Sequence, residues 1–171
     1  MVNKLSVLLL AFMVISAFTL VVSSIATAAD QDAALAAQDA QEREAALAFA
    51  KSRGLDLSKA VESESGLWSL VIDEGEGPLA KPENTVIAHC TGFLADGTKF
   101  WSSHDGQDKP MVNSVTGFVK GFTEGLQTMR AGGKSLLIFP GRLGYGPRGN
   151  PGAKIPPNAT LVFEVELIEI Q

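Results

Sequence analysis

The chain has 171 residues, of which 46% are hydrophobic and 19% charged, and its formal net charge at pH 7 is −5. This length suits one compact domain with a modest extension. An acidic chain without clustered Lys or Arg offers no electrostatic footprint for nucleic acid or for an anionic membrane surface. We therefore expect no nucleic acid partner.

Residues 1–28 have the order of a secretory signal peptide. Lys4 precedes an apolar run over residues 5–22, and the small residues Ala26-Thr27-Ala28 follow it. A basic start, an apolar middle and an A-x-A exit are typical of a signal that is cleaved on export. Cleavage after Ala28 leaves 171 − 28 = 143 residues of a secreted or periplasmic protein without a stable membrane span. The alternative is an uncleaved membrane anchor, because the apolar run approaches the lower length limit for spanning a bilayer.

Residues 29–64 are predicted to form an alanine-rich helical extension and linker. No Gly or Pro interrupts residues 30–51, so the helix propensity is high, and Gly54 is expected to stop the helix. The apolar stripe is weak because Arg43 lies in line with the alanines. We expect a frayed extension, and either a monomer or a weak dimer formed through this helix.

From residue 65 onward, turns separate segments that have the two-residue periodicity of strands. Strands are predicted at 68–73, 86–94, 98–101, 134–139 and 160–170. A hairpin turn is predicted at Asp96-Gly97, and one short helix over Phe118–Arg130, before Gly132-Gly133. One helix among strands joined by tight turns predicts an α+β domain, with an antiparallel sheet packed on the helix.

The last predicted strand indicates which of its side chains face the core. Leu161, Phe163 and Val165 alternate with Glu164 and Glu166, which is the pattern of a half-buried strand. We expect Phe163 to face the helix and Glu164 to face solvent. A one-residue slip would reverse both orientations.

Two segments match catalytic or cofactor motifs formally, but their context argues against these functions. Residues 144–149 read G-x-G-x-x-G, yet Pro151 and Pro156-Pro157 follow and forbid the helix that a dinucleotide site requires. Residues 102–105 read Ser-Ser-His-Asp, but adjacent residues cannot form the line of a hydrolase triad. This segment is therefore expected to be a polar loop, and His89 is expected to face solvent.

The single cysteine, Cys90, rules out an internal disulfide. Its neighbours in the predicted strand are apolar and no basic residue is close, so we expect a small buried residue rather than a nucleophile. Two histidines and one cysteine cannot assemble a zinc-type ligand set from His and Cys alone. No metal and no cofactor are predicted.

Five ordered segments carry a family resemblance that runs from Gly66 to Gln171. Residues 86–103 are similar to V-x-V-x-Y-x-G-x-L-x-D-G-x-x-F-D-S-S, and 118–126 to V-I-x-G-W-x-E-G-L. Residues 132–140 resemble G-x-K-x-x-L-x-I-P, 143–146 resemble L-A-Y-G, and 155–167 resemble the turn and closing strand. Together they resemble the FK506-binding (FKBP) type of peptidyl-prolyl cis–trans isomerase. The resemblance implies an isomerase domain over 65–171, with a twisted antiparallel β-sheet wrapped around one short α-helix.

The resemblance also implies an apolar pocket that holds the proline ring of proline-containing peptides or unfolded exported proteins. Phe100, Tyr145 and Phe163 match positions expected to act in catalysis. The implied substrate-binding positions are Trp101, Met111, Phe118, Val119, Phe122 and Ile155.

Four positions depart from the family pattern. Cys90 replaces a tyrosine, Trp101 an aspartate, Phe122 a tryptophan and Asn113 an aromatic residue. Loss of the polar pair at Cys90 and Trp101 predicts reduced isomerase activity in a protein that assists the folding of exported proteins. The alternatives are a non-catalytic peptide-binding module or holdase chaperone, and a structural domain whose pocket is filled by Trp101.

If the signal peptide is cleaved, the protein isolated from its native host starts at or near Ala29. Intact-mass spectrometry of that protein measures the start directly. A mass that includes Met1 or begins at Val2 would contradict cleavage and favour the membrane-anchored form.

Overall fold

The computed structural model describes residues 28–171. The predicted signal peptide lies outside this range apart from Ala28, which begins the first helix. By its internal contacts the chain divides after Ala37, and residues Gln38–Gln171 form one compact unit that contains the whole sheet. Among the described residues, no helix is both long and apolar enough to cross a membrane.

Seven strands form one antiparallel sheet in the order β1-β2-β6-β7-β3-β4, and β5 also pairs with β3. Within residues 28–171 two α-helices accompany the sheet, so the α+β prediction is confirmed. The helices are α1 (Ala28–Ser52) and α2 (Lys120–Leu126), and the strands are β1 (Val61–Glu62), β2 (Trp68–Asp73), β3 (Thr85–Leu94), β4 (Lys99–Ser102), β5 (Met111–Ser114), β6 (Gly133–Phe139) and β7 (Leu161–Ile170).

The five predicted strands are confirmed to within one residue at each end, whereas β1 and β5 were not predicted. Helix α2 is shorter than the predicted Phe118–Arg130. Val119 caps the helix in an extended conformation with ψ of 153°. After Leu126 the backbone tightens into a turn, where the Met129 N–H donates to the Leu126 carbonyl.

The predicted hairpin turn joins β3 to β4. Gly97 has a φ of 85°, a left-handed conformation that glycine adopts without strain. The Asp96 carboxylate accepts a hydrogen bond of 2.8 Å from the Thr98 N–H. This turn fixes the register in which Gly92 pairs with Trp101.

The inner face of the sheet packs against α2, as the last strand predicted. Phe163 on β7 is buried, and its ring centroid lies 5.0 Å from that of Phe122 on α2. Glu164 lies on the opposite face, where Arg53 Nη2 approaches its carboxylate to 2.8 Å. The expectation that Glu164 faces solvent is therefore only partly met, because Arg53 covers it.

The outer face of the sheet packs against the second half of α1. Ala46 and Ala50 on this helix have no exposed surface, and they join a cluster with Phe93 and Val162 of the sheet. Small side chains at helical spacing let the helix lie close to the strands. The expectation of a frayed extension is wrong for this half of the helix, since the alanine methyls pack against large partners from distant strands.

A larger side chain at Ala46 is therefore expected to destabilise the protein, while the same change at an exposed position of α1 is not. Overpacking a core commonly costs about 1–3 kcal/mol, so Ala46→Leu should lower the free energy of unfolding in urea by that amount. Ala48 is exposed, and Ala48→Leu is the matched control. Equal stability of the two variants would contradict the packing of α1 on the sheet.

Candidate active-site cleft

A cleft of about 610 Å³ lies between α2, the end of the sheet formed by β3, β4 and β5, and the loop before β7. Its lining is mostly apolar and carries no charged side chain. The lining residues are Cys90, Phe100, Trp101, Met111, Gly117, Phe118, Val119, Phe122, Tyr145, Asn150, Ala153 and Phe163.

Phe163 organises the floor of the cleft. Its ring meets Phe100 edge-on at 5.6 Å and Phe122 edge-on at 5.0 Å, and it stacks on Phe139 at 5.8 Å. Edge-to-face pairs at these separations are favourable beyond the area that they bury. The floor is therefore a rigid aromatic surface rather than a loose apolar gap.

Gly92 on β3 allows two of these rings to come together. A Cβ atom at this position would overlap the Phe100 ring and lie 2.8 Å from Phe163. Any other residue would push the two rings apart. The glycine of the β3 segment thus has a packing role in the cleft.

Two half-exposed aromatic residues form the rim. Tyr145 is 37% exposed and Trp101 is 40% exposed. Within residues 28–171 the Tyr145 hydroxyl makes no hydrogen bond, so it is available to a ligand. Because Trp101 lies at the edge and leaves the cleft open, the interpretation in which Trp101 fills the pocket is wrong.

The structure brings together eight of the nine predicted site residues and separates the ninth. Ile155 is buried in the same apolar cluster as Phe163, but it is not part of the lining. Asn113, predicted near the rim, is exposed and accepts a hydrogen bond from the Ser114 N–H. It does not line the cleft.

Sequence reasoning missed three lining residues, Gly117, Asn150 and Ala153. Asn150 caps a short 3₁₀ turn by accepting a hydrogen bond of 3.3 Å from the Ala153 N–H. An Asn-Pro pair that begins a turn was the available signal for this contact. Nothing in the sequence indicated that the turn borders the cleft.

Cys90 is buried beside the cleft, with its Sγ 3.9 Å from the Met111 Sδ. Burial raises the pKa of the Cys90 thiol to about 12, because the thiolate would be poorly solvated there. At neutral pH the thiol is protonated and therefore a weak nucleophile. The prediction of a small buried cysteine is confirmed.

The lining contains no carboxylate, no imidazole and no ionised thiol, so the cleft is suited to non-covalent chemistry. It can bind an apolar ring on its aromatic floor and offer one hydroxyl at its rim. A cleft of this kind can exclude water from a bound ligand and select that ligand by its shape.

A family model described as FKBP-type peptidyl-prolyl cis-trans isomerase matches residues 77–168. The FKBP-type peptidyl-prolyl cis-trans isomerase FkpA of Escherichia coli K12 is 39% identical over 123 residues, which are 72% of this chain and 43% of that protein. An FK506-binding protein of Neisseria meningitidis is 43% identical over 108 residues and is covered over 98% of its length. The crystal structure of Escherichia coli FkpA superposes with a TM-score of 0.66 at 31% identity, covering 94% of this chain and 71% of that one. This chain thus spans less than half the length of the curated FkpA.

The buried state of Cys90 predicts slow alkylation in the folded protein. A thiol with a pKa of about 12 is ~1,000-fold less ionised at pH 8 than one at the ordinary value of 9.0. Iodoacetamide should therefore modify the folded chain at least ~100-fold more slowly than the chain in 8 M urea. Mass spectrometry of timed samples gives both rates, and equal rates would contradict the burial.

Proposed function

Because the chain belongs to the family of FKBP-type peptidyl-prolyl cis–trans isomerases, we propose that it catalyses the rotation of peptide bonds that precede proline. Family membership identifies the enzyme class. The activity of this chain, its substrates and its compartment are inferences of our own.

One observation carries this proposal, namely an open aromatic cleft that has room for a proline ring. Its floor is formed by Phe163, Phe122 and Phe100, and the half-exposed Tyr145 hydroxyl stands at its rim. An apolar floor with a free hydroxyl at its rim suits a prolyl ring and its adjoining carbonyl.

The physical basis of catalysis is the transfer of the prolyl amide into this cleft. Resonance in the planar amide imposes a barrier of about 18–20 kcal/mol on rotation. Water stabilises the charge-separated resonance form, so an environment of aromatic rings weakens the resonance and lowers the barrier. A cleft that fits a twisted amide better than a planar one lowers it further. No covalent intermediate is required.

Tyr145 is assigned the role of orienting the substrate. Its hydroxyl, which has no hydrogen-bond partner among residues 28–171, would donate a hydrogen bond to a carbonyl beside the proline. Phe100 and Phe163 complete the catalytic set through the apolar surface that they provide. Trp101, Met111, Phe118, Val119 and Phe122 are assigned to substrate binding, with Ile155 supporting them from the core.

Two departures from the family pattern are expected to reduce the rate. Trp101 and Cys90 place an indole and a thiol where the family pattern has an aspartate and a tyrosine. Both residues line the cleft, so the missing polar groups would have faced the substrate. A lost hydrogen bond that orients a bound group costs about 1–3 kcal/mol, and 1.36 kcal/mol is about a factor of ten in rate.

The substrates we propose are proline-containing segments of unfolded exported proteins, in the periplasm or outside the cell. The support for export is the signal-peptide pattern of residues 1–28. Uncatalysed prolyl isomerisation takes tens of seconds or more, so an exported chain benefits from a catalyst. A holdase that binds the same segments without turnover remains the alternative for the experiments to exclude. We expect a monomer or a weak dimer through α1.

Removal of the Tyr145 hydroxyl tests the orienting role. Tyr145→Phe is expected to lower kcat/KM about 2–12-fold, because at the half-exposed rim water can replace the lost hydrogen bond, whose net value is then about 0.5–1.5 kcal/mol. Stability should change by less than about 0.5 kcal/mol, because the hydroxyl has no hydrogen-bond partner among residues 28–171. A protease-coupled proline-peptide assay and urea unfolding measure the two quantities. Unchanged kcat/KM would remove Tyr145 from the catalytic set.

Restoring the family's polar groups tests the origin of the reduced rate. Trp101→Asp, alone and with Cys90→Tyr, is expected to raise kcat/KM by about tenfold or more. Val112→Asp is the matched control, since it adds the same charge at an exposed position outside the cleft. If the original chain and the folded restored variants all show only the uncatalysed rate, the holdase alternative replaces the isomerase proposal.

A further inference from the structure

Both histidines of the chain meet on the outer face of the sheet, away from the cleft. His89 lies on β3, and His104 lies in the loop over 103–110 that joins β4 to β5. Their rings stack with centroids 4.3 Å apart and planes 14° apart. The sequence predicts that His89 faces solvent, whereas in the structure His104 covers its ring and leaves it half-buried.

Asp108 completes a group of three ligand-type side chains. Its Oδ1 lies 2.5 Å from the His104 Nδ1. Each of the three residues offers one ligand atom, and these atoms lie within 4.8 Å of one another. The sequence predicts no metal site because its two histidines and one cysteine are too few to bind zinc by themselves. The fold brings a carboxylate next to the two imidazoles and so supplies a third ligand.

The ring of His89 is held in place by a second layer of hydrogen bonds. Its Nδ1 lies 2.8 Å from the Ser103 Oγ, which also accepts a hydrogen bond of 3.0 Å from the Cys90 N–H. The Ser103 N–H donates in turn to the Cys90 carbonyl at 2.9 Å. With Nδ1 engaged by Ser103, Nε2 is the nitrogen left for a ligand bond. Metal-binding histidines are commonly oriented in this way through their second nitrogen.

We propose that His89, His104 and Asp108 form a binding site for a divalent late transition-metal ion such as Zn²⁺ or Cu²⁺. Two imidazoles and one carboxylate suit these ions, and three protein ligands leave the fourth position to water. A tetrahedral ion with bonds of about 2.1 Å keeps its ligand atoms roughly 3.4 Å apart. In the present structure the ligand atoms lie within 4.8 Å of one another, and the His104 Nδ1 to Asp108 Oδ1 distance of 2.5 Å is shorter than this spacing. The exposed side chains of His104 and Asp108 would therefore have to rotate to reach the geometry of a bound ion.

The proposed metal site is connected to the cleft through the loop over 103–110 and through β3. The loop over 103–110 begins two residues after Trp101 and ends directly before Met111, and both of these residues line the cleft. His89 is adjacent in the chain to Cys90, which lines the cleft from the other face of β3. A bound ion would tie the loop to β3 and thereby restrain the rim at Trp101.

Isothermal titration calorimetry with Zn²⁺ tests the site. The full chain is used without a polyhistidine purification tag, which would itself bind the ion. We expect one ion per chain and at least tenfold weaker binding in His104→Gln and in Asp108→Asn. Asparagine suits position 108 because its φ of 50° is left-handed, a region that Asn tolerates. Asp105→Asn is the matched control, because Asp105 pairs with Lys99 instead and its loss should leave the affinity unchanged.

Cu²⁺ provides a second readout through electron paramagnetic resonance. The chain has two histidines, so coupling to two imidazole nitrogens identifies this pair, and the His89→Gln/His104→Gln variant should lose it. No binding by the original chain, or equal affinity in the Asp108→Asn and Asp105→Asn variants, would overturn the site. Amide hydrogen exchange with and without Zn²⁺ tests the link to the rim: slower exchange over 103–110 is expected, and unchanged exchange would overturn that link. None of these readouts depends on isomerase activity.

Discussion

The cleft depends on how closely α2 lies against β6. Gly121 and Gly125 face this strand, and a Cβ atom at either position would overlap Phe139 or Leu137. Their absence of side chains lets the helix backbone rest directly on the sheet. This contact brings the Phe122 ring onto Phe163. The cleft lies open beside the N-terminal end of the helix, where Phe118 and Val119 line it.

Strand β3 contributes side chains to two sites that lie on opposite faces of the sheet. Alternate residues of a strand point to opposite faces, so Cys90 lines the cleft while its neighbour His89 joins the cluster with His104 and Asp108. On the inner face the aromatic floor makes an apolar surface, which we propose receives a prolyl amide. On the outer face the second half of α1 covers one part of the sheet with alanines, and the loop over 103–110 covers another with its polar side chains. The rim residue Trp101 is connected to both faces through this loop.

The parts of the fold predicted from sequence are those with a local signal. Alternation along β7 predicted the orientation of Phe163, and Asp96-Gly97 predicted the hairpin. What the sequence did not reveal arises from contacts between distant segments. The alanine face of α1 is only slightly more hydrophobic than the other faces of the helix. The sequence pattern therefore did not predict that this face packs on Phe93.

The candidate site shows the same division. Eight of its predicted residues line the cleft because they lie in segments with a recognisable order and spacing. Strand β5 was missed because four residues of mixed polarity carry too short a pattern. The approach of His104 and Asp108 to His89 requires the register of β3 against the following loop, which no local pattern specifies. The predicted roles of the lining residues stay predictions until activity is measured.

The central claim is that the open aromatic cleft lowers the barrier to prolyl rotation. Exchange NMR on a proline-containing peptide, with the protein present in small amounts, measures that rotation without a coupling enzyme. The account predicts that the rate of cis–trans exchange rises in proportion to protein concentration. It also predicts that the peptide changes the NMR chemical shifts of Phe122, Phe163 and Tyr145. The account would be contradicted if the peptide changed the chemical shifts of these residues while the exchange stayed at the uncatalysed rate. That result would show a cleft that binds the peptide without catalysing its isomerisation.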